Sequence, residues 1–262
     1  MNLGLKDKVA ILGGASKGIG KGCAIALAKE GVNIVLCARN EESLEKTADE
    51  IRKLGVEVLS LCADMSSTTD NKNIVEKTLM KFGKIDILVN NSGGPRAGTF
   101  FDFEEKDWDK AHNDVLKYTM RMISLVTPHM KNNHWGRIIN ITSLSVKEPA
   151  PTLILSNIYR SGVTALSKSI CKELMKDNIT INNICPGAFK TDRAIELMQK
   201  VAENENITIE EVEERSIKNL PLGRYQEIHE IGDLIAFISS ENARGITGTN
   251  IQIDGGISNS LI

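Results

Sequence analysis

Runs of β-branched and aliphatic residues alternate along the chain with segments whose apolar positions recur at helical spacing. The apolar runs cover residues 9–12, 33–38, 56–62, 85–90, 136–142, 179–185 and 250–254. Each is short, nearly continuous in its apolar character and bounded by polar or glycine turns, the pattern of a strand buried on both faces. Between them lie helical stretches such as 23–29, 41–54, which Gly55 closes, and 74–82. Strands covered on both faces in regular alternation with helices predict an α/β class fold: a parallel sheet between two helical layers, α/β/α. No repeat, low-complexity tract or linker divides the chain, so a single domain over 1–262 is expected. About thirty residues, 191–220, stand where a tight strand–helix join would suffice, and additions at that edge of such a sheet build substrate sites.

The first strand–helix junction carries the sharpest chemical signal. Gly13-Gly14-Ala15-Ser16-Lys17-Gly18-Ile19-Gly20 follows the apolar run at 9–12 and precedes an alanine-rich helical segment. Such a turn leaves backbone N–H groups and the positive end of a helix dipole open to an anion. Gly14 permits the turn, Gly18 lets a diphosphate approach the backbone, and Gly20 allows close helix–strand packing. An ordinary glycine-bearing loop is the plain alternative, but the position at the first crossover of an alternating chain favours dinucleotide binding. At the end of the second strand, where an NAD site usually has a carboxylate for the ribose hydroxyls, stand Ala38 and Arg39. With Lys17 nearby, two cations and no carboxylate favour the 2′-phosphate of NADP(H) over NAD(H), although both also fit solvated surface charge. Asp64 closes the third strand, followed by Met65. Its carboxylate suits an adenine edge, or equally a cap on the next helix.

Composition narrows the partners. Of 262 residues 41% are apolar and 25% charged, with a net charge of −2, which gives no electrostatic case for nucleic acid or an anionic membrane. No apolar run approaches the ~20 residues of a membrane span, and residues 1–7 lack the basic start and apolar centre of a signal peptide. Five scattered cysteines without a CxxC pair read as reduced thiols, so a cytoplasmic protein is expected. The four histidines show no ligand spacing, and no metal site is expected.

Taken together these motifs resemble those of the short-chain dehydrogenase/reductases. The glycine turn is similar to that family's TGxxxGIG, with Gly13 in place of threonine. Asn90-Asn91-Ser92-Gly93 resembles NNAG, Cys185-Pro186-Gly187 with Thr191 resembles the PG-and-threonine motif, and Asp254-Gly255-Gly256 resembles the C-terminal DGG. The matches run from about residue 6 to 256 and are most similar to the 3-oxoacyl-carrier-protein reductase branch. The resemblance implies a Rossmann-type doubly wound sheet of seven parallel strands in the order 3-2-1-4-5-6-7, and a homo-oligomer, a tetramer or dimer. It implies a cofactor-facing set comprising the glycine turn from Gly14 through Ser16, Lys17, Gly18 and Ile19 to Gly20. Beyond the turn that set takes in Arg39, Asp64 and Met65, then Asn91, Ser92 and Gly93, then Arg160, Pro186, Gly187 and Thr191. The implied activity is reduction of a carbonyl, with a 3-oxoacyl thioester as the family-level substrate.

The family's catalytic set is an asparagine, a serine and a Tyr-x-x-x-Lys pair. Ser143 ends the fifth strand and fits the serine. Aligning Ser161-Gly162-Val163 and Ser167-Lys168-Ser169 without a gap places Arg160 at the lysine and Ser156 at the tyrosine, and Val115 falls at the asparagine, with Asn113 two residues short. A serine hydroxyl is too weak an acid for the tyrosine's role, and a guanidinium cannot release a proton near neutrality. Arg160 can still bond ribose hydroxyls and set positive charge beside a forming oxyanion. Ser156 suits either a substrate hydrogen bond or a helix cap. Tyr159 lies roughly 60° around the helix from Ser156, against roughly 40° the other way for Arg160. It reads either as a displaced proton donor or as a ring packed between subunits. Ile195, Leu197, Met198 and Val212 read either as an apolar lid or as the inner face of two amphipathic helices, and Thr208 with Glu211 as a capping box. The function expected is an NADP(H)-dependent oxidoreductase acting on a small carbonyl or alcohol. The alternative is a nucleotide-binding scaffold or regulator that has lost efficient catalysis through Ser156 and Arg160.

Overall fold

Alternation of side chains along each strand sends neighbouring apolar residues to opposite faces, and both faces of the sheet are filled. The computed structural model describes residues 2–261, apart from the side chains of Arg193, Leu197 and Lys200. Its strands are β1 (Val9–Gly13), β2 (Asn33–Ala38), β3 (Val58–Cys62), β4 (Ile87–Asn90), β5 (Gly136–Ile141), β6 (Ile179–Pro186) and β7 (Asn250–Ile253). They form one seven-stranded sheet in the order β3-β2-β1-β4-β5-β6-β7, every pairing parallel. This is the Rossmann-type doubly wound sheet that the motifs implied. Observed strand ends lie within two residues of the sequence reading.

The helices are α1 (Gly18–Lys29), α2 (Glu41–Arg52), α3 (Thr68–Phe82), α4 (Glu105–Ala111), α5 (Tyr118–Asn132), α6 (Ile154–Leu174), α7 (Asp192–Glu205), α8 (Ile209–Ile217) and α9 (Ile228–Ile238). The stretch read as helical from 74 begins six residues earlier, at Thr68, because the Ser67 hydroxyl accepts from the Asp70 N–H and caps α3 there. On one face Leu12, Ile34, Leu36 and Val89 pack with α1, α2 and α9. On the other, Ile11, Val35, Leu88 and Ile138 pack with α3, α5 and α6. A parallel sheet places the carboxyl ends of all its strands on one edge, and the order reverses between β1 and β4. That switch point opens a crevice there, and the turns after β1, β4, β5 and β6 line it.

Candidate active site

The turn after β1 has the shape that its glycines dictate. Gly14 and Gly18 both have φ of +56°, in the left-handed region that glycine enters without strain. A Cβ on Gly20 would lie 2.3 Å from the Gly14 carbonyl oxygen, so the helix can approach the turn only through glycine. Lys17 occupies the N-cap of α1 without a side-chain cap, and the first turn holds no acidic residue. The N–H groups and dipole at the start of α1 are therefore not engaged by a side-chain cap or a first-turn carboxylate. Ile19 packs against the core, and the Ser16 carbonyl accepts a 2.9 Å bond from the Thr47 hydroxyl that ties the turn to α2.

Asn91, in the cofactor-facing set implied by the resemblance, holds the glycine turn in this structure. Its Nδ2 donates to the carbonyls of Gly13 and Gly14 at 3.1 and 3.3 Å, so the side chain braces the glycine turn from β4. Gly13 stands where the family has threonine because its space is filled from elsewhere. A Cβ there would lie 2.5 Å from the Tyr118 hydroxyl and 2.7 Å from the Asn91 carbonyl oxygen. Tyr118 is fully buried, and its hydroxyl faces that carbonyl without reaching good hydrogen-bond geometry. Burial drives its pKa upward. Met65 sits beneath, its methyl 3.5 Å from the same point. Tyr118 lies more than a hundred residues from Gly13, and no local pattern announces the exchange.

Arg39 is exposed at the close of β2. Lys17 pairs at 3.1 Å with Glu196 of α7, an exposed contact bridging the glycine turn and the 191–220 segment. Asp64 does not cap the next helix, because Ser67 is the N-cap of α3, and its carboxylate instead closes a local turn onto Ser66. Its Oδ1 accepts from the Ser66 N–H and hydroxyl at 2.9 and 2.8 Å, and the backbone bond foremost lowers its pKa. Ser92 is half-buried and Gly93 exposed, on the turn that leaves β4.

The turn after β5 gathers the catalytic candidates. Ser143 is half-buried, and its Oγ accepts from the Ser145 N–H at 3.1 Å. Ser145 Oγ lies 3.2 Å from Ser156 Oγ, so the three serines form a chain. Ser156 lies inside α6, whose N-cap is Leu153, so the capping reading of Ser156 does not hold. Arg160 is buried, and its Nη1 donates to the carbonyls of Ile141 and Thr142, both at 2.7 Å. This arm is engaged by the end of β5. The other arm, Nη2, lies 3.9 Å from where a Cβ of Gly94 would be. Tyr159 turns away from the serines: its ring stacks on His112 at 5.7 Å and meets Trp108 edge-on at 6.5 Å. Burial raises its pKa, with Asp109 pushing the same way, opposite to what a displaced donor needs. Val115 is buried in a π-helical turn (His112–Lys117), a bulge of the kind found at functional sites. Asn113 is spent on the Asp109 carbonyl.

Beneath these residues runs an amide ladder, buried from Asn90 through Asn183 and exposed at Asn250, that the sequence reading missed. Asn90, Asn140, Asn183 and Asn250 are register partners across β4 to β7. Each amide donates to the next at 2.8–3.0 Å. Ser167 of α6 joins it by accepting from Asn140 and donating to Asn183, which fixes α6, and with it Arg160, to the sheet.

After β6, Gly187 packs against Asp254, where a Cβ would fall 2.6 Å from the Asp254 Cα. Pro186 ends the strand, and Thr191 caps α7 by accepting from the Ala194 N–H at 3.1 Å while its methyl faces Gly18. Met198 and Val212 are buried in a small cluster between α7 and α8, the amphipathic-helix reading, and Ile195 is exposed. Leu197 lies outside the described side chains. The Thr208–Glu211 capping box is present.

Comparison with known proteins agrees with this geometry. Residues 14–258 match the model of the family described as Enoyl-(Acyl carrier protein) reductase. The 3-oxoacyl-[acyl-carrier-protein] reductase FabG of Staphylococcus epidermidis is 30% identical over 252 residues, covering 96% of this chain and 99% of that protein. Among solved structures, L-sorbose reductase from Gluconobacter frateurii, complexed with NADPH and L-sorbose, superposes with a TM-score of 0.96 at 28% identity, each chain covered completely. An actinorhodin polyketide ketoreductase variant with NADPH gives 0.91 at 30% identity, covering 96% of this chain and 97% of that one. With the fold, the glycine turn and the match over nearly the whole chain in agreement, the protein belongs to the short-chain dehydrogenase/reductase family of oxidoreductases and is FabG-like within it.

Proposed function

We propose that the chain is an NADP(H)-dependent reductase of a small carbonyl compound. The observation that carries this reading is the uncapped N-terminus of α1, cradled by Gly14 and Gly18, with Ala38 and Arg39 where an NAD site has a carboxylate and Lys17 inside the glycine turn. The α1 amides would hold the pyrophosphate, and Arg39, with Lys17 released from its pair with Glu196, would hold the 2′-phosphate. Pro186, Gly187 and Thr191 face the nicotinamide half. When bound, the cofactor supplies a hydride. Ser143 holds the substrate oxygen, Arg160 places positive charge at the end of β5, and water delivers the proton, since Tyr159 is turned toward Trp108 and His112. The engaged Arg160 arm and the Ser145–Ser156 contact favour a second reading, a cofactor-binding regulator without efficient turnover.

Oxidation of NADPH, followed at its absorbance band with a panel of ketones and acetoacetyl thioesters, separates the two. Turnover with at least one carbonyl, cut a hundredfold or so by Ser143→Ala, supports the enzyme. Tight NADPH binding with no turnover on any member supports the regulator.

A further inference from the structure

The segment that follows β6 meets the glycine turn at two points. Thr191, the N-cap of α7, sets its Cγ2 3.7 Å from where a Cβ of Gly18 would lie. Farther along the same helix, Glu196 Oε1 stands 3.1 Å from Lys17 Nζ, with both side chains more than half exposed. Behind these contacts α7 and α8 pack on each other. Met198, Ala202 and Val212, with Ile207, Ile209 and Tyr225 against them, form an apolar cluster separate from the two that flank the sheet. The base of this lobe is pinned where the Lys190 N–H donates to the Gln226 carbonyl and the Gln226 N–H to the Ala188 carbonyl, both at 2.9 Å. The Lys17–Glu196 pair is therefore an ionic tie between a separately packed lobe and the turn that cradles the start of α1.

Of the two cations assigned to the 2′-phosphate, Lys17 is held by a carboxylate, whereas Arg39 lies exposed at the close of β2. A carboxylate and a phosphate compete for one ammonium. A dinucleotide that carries the 2′-phosphate has to displace Glu196, and one with a free 2′-hydroxyl leaves the pair intact. Exposed ion pairs are weak, so the competition is worth a few-fold in affinity.

We propose that Glu196 tunes the cofactor selectivity of this chain by competing with the 2′-phosphate for Lys17, and that NADP(H), unlike NAD(H), thereby frees α7 from the glycine turn. The inference rests on the reading that Lys17 and Arg39 hold that phosphate. It adds that the lobe beside the crevice senses which nucleotide is bound.

The test uses binding alone, on the full chain. NADPH and NADH are titrated by nucleotide fluorescence into the native chain, into Glu196→Gln, and into Glu210→Gln, which removes the same charge from an exposed position on α8. Glu196→Gln is expected to bind NADPH about threefold more tightly than the native chain and NADH equally, while Glu210→Gln changes neither. In a Lys17→Gln background, Glu196→Gln is expected to have no effect. Amide hydrogen exchange across α7 is expected to run about twofold or more faster with saturating NADPH than with saturating NADH in the native chain, and at the same rate with both in Glu196→Gln. In a chain that prefers NADPH, an unchanged or weaker NADPH affinity in Glu196→Gln overturns the proposal. So does an equal gain for NADH, a gain that Glu210→Gln reproduces, a gain that persists without Lys17, or equal α7 exchange with the two nucleotides in the native chain. If the native chain and Glu196→Gln both bind neither nucleotide, or both bind the two equally, the cofactor reading itself falls, which keeps the two failures distinct.

Discussion

Adding one methyl group at Gly13 tests how the glycine turn is held in place. The new Cβ would meet the Tyr118 hydroxyl at 2.5 Å and the Asn91 carbonyl oxygen at 2.7 Å, whereas ordinary contact begins near 3.4 Å. Each neighbour must give by the better part of an ångström, and Tyr118, 1% exposed, has no room to withdraw. Overpacking of this kind costs about 1–3 kcal/mol. Moving Asn91 also weakens its bonds to the Gly13 and Gly14 carbonyls, each worth about 1 kcal/mol. Gly13→Ala is therefore expected to cost about 3–4 kcal/mol, a large share of an ordinary domain's stability. Tyr118→Phe alone removes a buried hydroxyl that lacks a good partner, so its effect stays within about 1 kcal/mol. In the double variant the hydroxyl clash is gone but the Asn91 carbonyl remains, and about 1–2 kcal/mol is recovered. Urea unfolding followed by tryptophan fluorescence measures all four corners of this cycle. A Gly13→Ala cost below about 1 kcal/mol, or strictly additive single effects, would refute the packing argument.

Three further outcomes are expected. Arg39→Asp replaces the cation proposed for the 2′-phosphate and should weaken NADPH by about tenfold or more while leaving NADH within about threefold, read by nucleotide fluorescence titration; equal losses contradict the assignment. Asn140→Ala strips the amide ladder at its centre, leaving Asn90, Asn183 and Ser167 without their shared partner. It should cost about 2–4 kcal/mol in urea unfolding, whereas a surface-like loss under about 0.5 kcal/mol would show the ladder to be dispensable. Glu230 bonds Arg224 and the Glu227 N–H, and these contacts, the arginine foremost, hold its pKa down to about 2. Because the folded pKa lies below the unfolded one, its contribution is complete above the ordinary glutamate range and lost as pH falls toward about 2. Glu230→Gln should therefore reduce the unfolding midpoint at pH 6 and leave it nearly unchanged at pH 2, and equal losses at both would contradict the linkage.

The sheet was legible because burial on both faces writes itself into the chain as unbroken apolar runs, and each strand ends where a polar turn begins. The glycine turn was legible for a similar reason. At Gly14, Gly18 and Gly20, the backbone path and the approach of α1 leave no room for a Cβ, so the residue type records the geometry directly. The brace on that turn was not legible. Asn91 and Tyr118 reach Gly13 across the sheet and from α5, and a contact between distant segments leaves no periodic trace. The same holds for Arg160. Its place on the α6 face follows from helical spacing, but its bonds to the Ile141 and Thr142 carbonyls depend on how α6 is seated by Ser167 on the amide ladder. The ladder could have been found from the sequence by asking why four strands expected to be apolar each carry an asparagine. Tyr159 shows the opposite case: its angle on the helix is as computed from the spacing, yet Trp108 and His112 decide which way the ring points.

Paired titration of the chain with NADPH and with NADH, followed by nucleotide fluorescence, bears most directly on the central claim that the amides of α1, with Lys17 and Arg39, hold a phosphorylated dinucleotide. The account predicts saturable NADPH binding at least about tenfold tighter than NADH. Absence of binding by either nucleotide, or equal affinity for both, would contradict it.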